Sequence, residues 1–112
     1  MRGAADYTIL ARLFALIESR KGADPSVSRT ALLFHRGVAK IAQKVGEEAV
    51  ETAIAAVEAK PAEVISESAD LLYHLLVLWS AMGLKPEDIF AELARREGTS
   101  GIEEKSARVN KA

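Results

Sequence analysis

The segment KVGEEAVETA, Lys44 to Ala53, places three carboxylates within five residues of a sequence that otherwise favours a helix. At about 100° of rotation per residue, Glu47 and Glu51 lie about 40° apart around such a helix, and Glu48 and Glu51 about 60° apart. We therefore expect the three carboxylates to share one side. Like charges at this spacing destabilise a helix by roughly a few tenths of a kcal/mol. The segment raises the question of what compensates this repulsion.

The same segment lies inside a long stretch with helical periodicity. Between about Ser28 and Ala59 there is no proline. Apolar residues recur there with a period of about 3.6, at Leu33, Val38, Ile41, Val45, Ala49, Ala53 and Ala56. We predict one long helix over this stretch, with a bend near Gly37.

Three further helices are predicted on either side of the long one. The first runs from Asp6 to Lys21, with Asp6 as a candidate N-cap. Another begins at Pro61 and is ended by Gly83, and a short one runs from Pro86 to about Glu97. Because no stretch has the two-residue alternation of a strand, the predicted fold class is all-α, a bundle of four main helices.

Length and composition limit the possible classes of protein. With 112 residues the chain has the size of one domain. We assign residues 1–98 to that domain and residues 99–112 to a tail that either docks as a short helix or remains mobile. Fifteen Lys and Arg against sixteen Asp and Glu give a net charge of -1, so there is no positive field for nucleic acid or an anionic membrane.

Two further absences indicate a location in the cell. The longest apolar tract, Leu71 to Trp79, is far shorter than the roughly 20 residues of a membrane-spanning helix, and no signal peptide is recognised. The sequence contains no cysteine, which fits a reducing compartment. We predict a cytoplasmic protein.

Apolar residues cover nearly the whole circumference of the helix that begins at Pro61. They are Leu71, Leu72, Leu75, Leu76, Val77, Leu78 and Trp79. Such a helix must be enclosed on all sides, which three other helices of so short a chain can hardly achieve. We expect a homodimer or a higher homo-oligomer. The alternative is a monomeric bundle with this helix at its centre.

A second acidic strip lies on this apolar helix, where Glu67 and Asp70 are about 60° apart. The short connection near Pro61 makes this helix an antiparallel neighbour of the long one, so that Glu51 and Glu67 lie at similar levels. Solvated acidic faces are the simpler interpretation. Carboxylates converging between two helices repel unless a cation lies among them, and Mg²⁺ or Mn²⁺ prefers oxygen ligands. Such a site suits phosphoanhydride hydrolysis.

Other polar residues near the acidic strips allow two interpretations. Lys40 and Lys44 either form ion pairs along their helix or contact phosphates. His74 follows Asp70 by one turn, and we favour a buried core position over a role behind a metal ligand. His35 and Arg36 are expected at the surface.

The acidic residues form a recognisable pattern, E-E-x-x-E followed by E-x-x-D. It is matched by Glu47, Glu48, Glu51, Glu67 and Asp70 and resembles the all-α MazG-like nucleotide pyrophosphohydrolases. The blocks KGADPSVSRT, KIAQKVGEEAVET, ESADLLYHLLVLW and SGIEEKSAR are similar to the phosphoribosyl-ATP pyrophosphohydrolases of histidine biosynthesis, over about residues 8 to 108. This resemblance implies Mg²⁺-dependent cleavage of 1-(5-phosphoribosyl)-ATP between its α and β phosphates, and at least a dimer.

The resemblance also implies roles for individual residues. Glu48, Glu51, Glu67 and Asp70 would be the metal ligands. Glu47 would be a further ligand or orient the attacking water, so that the predicted catalytic residues are Glu47, Glu48 and Glu51. Lys40 and Lys44 would hold phosphates.

One segment departs from the family's usual sequence. Where the family commonly has S-Y-T-A-K-L, residues 28–33 read S-R-T-A-L-L, without the aromatic residue and the lysine. We assign Ser28, Arg29 and Thr30 to substrate binding, with Arg29 restoring the lost positive charge. The departure leaves open a housekeeping pyrophosphatase of (deoxy)nucleoside triphosphates. A second alternative is a non-catalytic helical adaptor, whose acidic strips only attract basic partners.

Overall fold

The structure, a computed structural model, describes residues 6–98 and, near the C-terminus, residues 101, 102, 105 and 108. Within residues 6–98 there are five helices and no strand, which confirms the all-α prediction. The helices are α1 (Ile9–Ser19), α2 (Arg29–Arg36), α3 (Val38–Val57), α4 (Pro61–Ala81) and α5 (Pro86–Arg96).

The prediction of one long helix from Ser28 to Ala59 is wrong, because Gly37 separates α2 from α3. Gly37 has φ 93° and ψ 174°, a conformation available essentially only to glycine. Its N–H donates to the carbonyl of Leu33, and its carbonyl accepts from the N–H of Ile41. The predicted bend is therefore a break, and four main helices become five.

The other helix ends agree with the sequence signals except at the N-terminus. Pro61 is the first residue of α4 and Pro86 the first of α5, and Gly83 follows α4 with φ 75°. Asp6 does not cap α1, which begins at Ile9. Its Oδ1 instead accepts from the N–H of Thr8 at 3.0 Å, so it stabilises the turn before the helix.

The central pair of the bundle is α3 and α4, which pack along each other after the short connection at residues 58–60. Around it, the buried core takes one residue each from α1, α2 and α3 and two from α4: Ile17, Leu33, Ile41, Leu76 and Val77. Because α2, α3 and α4 share this core, the acidic residues of the central pair and the basic residues of α2 are held in one fixed arrangement.

The described residues do not enclose α4 on all sides. Ile65 and Leu72 of α4 remain exposed, as do Val50, Ile54 and Val57 of α3. Fifteen large apolar side chains are exposed in the described part of the chain, whereas only seven apolar residues there are buried, the five core residues together with Ala31 and Ala55. One folded copy therefore leaves an apolar face uncovered, and the predicted oligomer remains a prediction.

The C-terminal segment is described at four positions only. Gly101, Ile102, Lys105 and Arg108 are helical, and the other residues of the predicted tail lie outside the described part. The division into residues 1–98 and 99–112 therefore stays a prediction. Among the described helices, none combines the length and the apolar character needed to cross a membrane.

Candidate active site

Three of the predicted metal ligands meet between α3 and α4. Glu48 comes from α3, and Glu67 and Asp70 lie one turn apart on α4. Each offers a carboxylate oxygen, and these oxygens lie within 4.8 Å of one another. We call these three residues the carboxylate cluster. Glu48 is 7% exposed, Glu67 is half-buried and Asp70 is exposed, so the cluster extends from the interior to the surface.

The carboxylate cluster lacks the partners that buried oxygens normally have. Glu48 Oε1 and Glu67 Oε1 are buried, and neither finds a hydrogen-bond partner among the described residues. Leaving a buried carboxylate oxygen without a partner is costly. A divalent cation that prefers oxygen ligands would supply the missing interaction, so the residues present suit such an ion.

Crowding of the carboxylates changes the acidity of Glu67. The adjacent carboxylate of Glu48, burial, and the neighbouring Glu51 raise the pKa of Glu67 from 4.5 to about 7. Glu51, the fourth predicted ligand, therefore lies beside the cluster, on the α3 turn after Glu48 and exposed to solvent. A bound cation would favour the ionised form of Glu67 and thus reverse this effect.

Glu47 is not directed into the carboxylate cluster. Its carboxylate accepts a hydrogen bond from Gln43 Nε2 at 2.8 Å and lies 3.5 Å from Lys44 Nζ. These neighbours lower the pKa of Glu47, with Gln43 as the larger cause. Glu47 and Glu51 border the same surface depression, but the carboxylate of Glu47 is engaged by Gln43 and Lys44 and is not part of the carboxylate cluster. Its predicted role with the attacking water stays a prediction.

A cavity of about 250 Å³ lies next to Glu47, and its polar lining is mostly cationic. Arg29 and Arg36 of α2 and Lys40 and Lys44 of α3 line it, and we call it the basic pocket. Leu32 and Leu33 form its apolar wall. The structure therefore brings together three of the predicted phosphate-binding residues, since Arg29, Lys40 and Lys44 all line this pocket.

Arg36 is the residue of the basic pocket that the sequence prediction missed. It is exposed, as expected, but it also lines the cavity. Arg29, Arg36, Lys40 and Lys44 are seven, four and four residues apart, and each spacing is close to whole turns of about 3.6 residues. This regular spacing of cations was the available signal.

Ser28 and Thr30, which we assigned to substrate binding, are engaged within the protein. Ser28 Oγ accepts from the N–H of Ala31 at 3.1 Å and so caps α2. Thr30 Oγ1 and the Tyr73 hydroxyl form a hydrogen bond of 2.5 Å that joins α2 to α4. Both contacts fix the first turn of α2, from which Arg29 reaches the basic pocket.

His74 occupies the core position that the sequence favoured. Its side chain is buried, and its Nδ1 lies 2.8 Å from the carbonyl oxygen of Asp70, one turn earlier. Its ring packs edge-on against Tyr73, with 5.0 Å between the ring centres. His74 therefore supports the backbone that carries Asp70.

Residues 10–97 of the chain, which include the carboxylate cluster and the basic pocket, match the family model described as phosphoribosyl-ATP pyrophosphohydrolase. The chain belongs to the phosphoribosyl-ATP pyrophosphohydrolase family. This confirms the family that the acidic pattern and its flanking blocks indicated. The chain is therefore an enzyme that hydrolyses a phosphoanhydride, and the adaptor alternative loses its support.

Curated relatives agree with the family model over most of their length. A phosphoribosyl-ATP pyrophosphatase of Azospirillum brasilense is 65% identical over 100 residues, covering 89% of this chain and 90% of that protein. The phosphoribosyl-ATP pyrophosphatase of Paramagnetospirillum magneticum is 58% identical over 108 residues, covering 96% and 99%. That of Parvibaculum lavamentivorans is 59% identical over 105 residues, covering 94% and 96%. The likeness to these phosphoribosyl-ATP pyrophosphatases thus extends over about nine-tenths or more of each chain.

Proposed function

We propose that this chain hydrolyses 1-(5-phosphoribosyl)-ATP between the α and β phosphates, giving 1-(5-phosphoribosyl)-AMP and pyrophosphate in histidine biosynthesis. The observation that carries the proposal is the carboxylate cluster, with its unpartnered oxygens of Glu48 and Glu67, beside a cationic cavity. Family membership and the names of the relatives indicate the substrate. Mg²⁺, with Mn²⁺ as a substitute, is the cofactor that the oxygen ligands favour.

The carboxylate cluster and the basic pocket have different parts in the reaction. Glu48, Glu67 and Asp70 would hold the metal, with Glu51 beside them as a further ligand. A bound Mg²⁺ would neutralise charge on the phosphate oxygens and lower the pKa of a coordinated water. Lys44 and Lys40 donate charge-assisted hydrogen bonds to phosphate oxygens, which stabilises the negative charge that builds up on the departing pyrophosphate.

Glu51 and Glu47 also have parts to play around the attacking water and the phosphates. Glu51 is exposed and adjoins the carboxylate cluster, so it can accept a proton from a water molecule at the α phosphate. Glu47 contacts Lys44 at 3.5 Å and thereby holds that lysine toward the basic pocket. In this proposal Glu47 acts by positioning Lys44.

The direct test is turnover by the purified protein. With Mg²⁺ and 1-(5-phosphoribosyl)-ATP we expect release of pyrophosphate, which EDTA should abolish and excess Mg²⁺ should restore. ATP, dCTP and dUTP serve as comparison substrates. No pyrophosphate from the phosphoribosylated substrate would refute the proposal, and a preference for a free deoxynucleotide would favour the housekeeping alternative.

We also propose that two copies associate through an apolar face on the central helix pair. The face consists of Val50, Ile54 and Val57 of α3, all exposed in one copy. The three α3 residues recur at intervals of four and three, as one side of a helix requires. Covering this face would bury apolar surface that one copy leaves exposed to solvent. A cytoplasmic location likewise remains a prediction.

A further inference from the structure

The four cations of the basic pocket come from two helices. Along α3, Lys44 precedes Glu48 by four residues, or about 6 Å, and Lys40 precedes it by eight residues, or about 12 Å. Arg29 and Arg36 belong to α2, on the other side of the break at Gly37. The pocket therefore has a lysine side on the helix that carries Glu48 and an arginine side on α2.

The arginine side of the basic pocket carries positive charge that no ion pair within the described residues neutralises. Lys44 is paired with Glu47, whereas neither Arg29 nor Arg36 forms an ion pair within the described part of the chain. Both arginines are exposed yet line the same cavity, and Leu32 adds apolar surface to its wall. Two arginines next to an apolar surface suit a phosphate attached to a sugar, because guanidinium groups bind phosphate oxygens in pairs.

The proposed function uses only the lysine side of the basic pocket. Lys44 and Lys40 contact the two phosphates that leave as pyrophosphate, so the arginine side has no partner in the triphosphate. The substrate of the proposed function carries a second anionic group far from the triphosphate, the phosphate of the ribosyl unit on its base.

We infer that Arg29 and Arg36 bind the phosphate of the phosphoribosyl unit and thereby select phosphoribosylated nucleotides over nucleotides that lack this group. This inference rests on the proposed function, because it assigns the second phosphate of that substrate. It gives Arg29 and Arg36 a role in substrate choice, while the carboxylate cluster and the two lysines act on the triphosphate. The alternative is that the arginines bind the departing pyrophosphate.

The test measures binding and does not depend on turnover. Calorimetry with Mg²⁺ would compare 1-(5-phosphoribosyl)-AMP with AMP, which differ by the phosphoribosyl unit, for the wild type, Arg29→Gln and Arg36→Gln. Arg20→Gln is the matched control, since Arg20 is exposed at the end of α1 and outside the pocket. Thermal unfolding confirms that each variant is folded.

We expect Arg36→Gln and Arg29→Gln each to weaken binding of 1-(5-phosphoribosyl)-AMP by about tenfold to a hundredfold, as for loss of a charged hydrogen bond. AMP binding should change by less than about twofold, and Arg20→Gln should alter neither. Equal losses for both nucleotides, no loss for either, or a selective loss of pyrophosphate binding would overturn the inference. Failure of the wild type to cleave 1-(5-phosphoribosyl)-ATP would instead refute the proposed function, so the two failures are distinguishable.

Discussion

Glu48 of α3 and Glu67 of α4 face each other across the central helix pair, and their contact is the largest cause of the raised pKa of Glu67, about 7. In the unfolded chain the same carboxyl would titrate near 4.5. Between these two values the folded protein binds more protons than the unfolded chain, so folding becomes less favourable as the pH rises through this range. Either a proton on Glu67 or a cation between Glu48 and Glu67 would relieve the repulsion, so protonation determines the stability of the metal-free protein.

The first prediction concerns the metal-free protein and pH. In EDTA, the stabilising effect of a proton on Glu67 should be fully present below 4.5 and lost above about 7. Glu67→Gln removes this titration, so the difference in melting temperature between the variant and the wild type should grow from about pH 5 to about pH 8. A constant difference across that range would contradict the prediction. Glu63→Gln, an exposed change on the same helix, is the control.

The second prediction concerns metal binding. Because the carboxylate cluster exists only in the folded chain, Mg²⁺ or Mn²⁺ should raise the apparent stability, by about 2.7 kcal/mol at a hundredfold excess over the dissociation constant. Differential scanning calorimetry with and without the ion measures this shift. Asp70→Asn should reduce it, whereas Glu63→Gln, whose carboxylate pairs with Lys60 at 3.9 Å, should leave it unchanged. Absence of a shift at millimolar metal would count against a metal site.

The third prediction concerns activity. Asp70→Asn should lower kcat/KM by at least about a hundredfold, since even residues behind the ligands of metal sites typically change activity by 10- to 100-fold. The variant should remain folded and, without metal, be at least as stable as the wild type, because carboxylate repulsion is relieved. Glu51→Gln should behave similarly. Full activity in either variant would remove that residue from the site.

The third prediction extends to Glu47→Gln, which tests whether Glu47 acts through the basic pocket or through the carboxylate cluster. If Glu47 acts by holding Lys44, its amide variant should mainly raise KM, because Lys44 loses its charged neighbour but the carboxylate cluster stays intact. A loss in kcat as large as that of Asp70→Asn would instead place Glu47 among the groups acting on the metal or the water. Steady-state kinetics with 1-(5-phosphoribosyl)-ATP decides between these outcomes.

The sequence predicted those features that depend on helical spacing within one helix. Glu67 and Asp70 meet because they are one turn apart, and the short connection at Pro61 brings Glu48 opposite them. The break at Gly37 was not visible in the sequence, because interrupting a helix at one residue leaves the apolar periodicity almost unchanged. Only the backbone angles of Gly37 differ from those of a helix. The spacing gave the position of Glu47 around α3 but not the partners of its carboxylate, which are Gln43 and Lys44.

The fourth prediction concerns the apolar face of the central pair. Ile54→Glu places a charge in the middle of this face and should convert the expected dimer to monomers in analytical ultracentrifugation, because an unpaired charge cannot be buried cheaply. Leu93→Glu is the matched control, since Leu93 is exposed on α5 and does not belong to the face. A wild type that sediments as a monomer would refute the dimer, and a similar effect of both variants would locate the contact elsewhere.

The fifth prediction compares Gly37, which lies between α2 and α3, with Gly46, which lies inside α3. At Gly37 the backbone angles exclude other residues, so Gly37→Ala should cost about 1–3 kcal/mol of unfolding free energy. Gly46 lies inside α3, and an added Cβ there would meet no atom within 4 Å. Gly46→Ala should therefore stabilise the protein, by roughly 0.5–1 kcal/mol.

Urea unfolding at one fixed protein concentration measures both changes, so that any effect of association is the same for the two variants. Because Gly37 joins the helix that carries Arg36 to the helix that carries Lys40, Gly37→Ala should also weaken binding of 1-(5-phosphoribosyl)-AMP, whereas Gly46→Ala should not. Equal stability changes in the two variants would show that α2 and α3 can join without the unusual backbone angle. The basic pocket would then not depend on the break at Gly37.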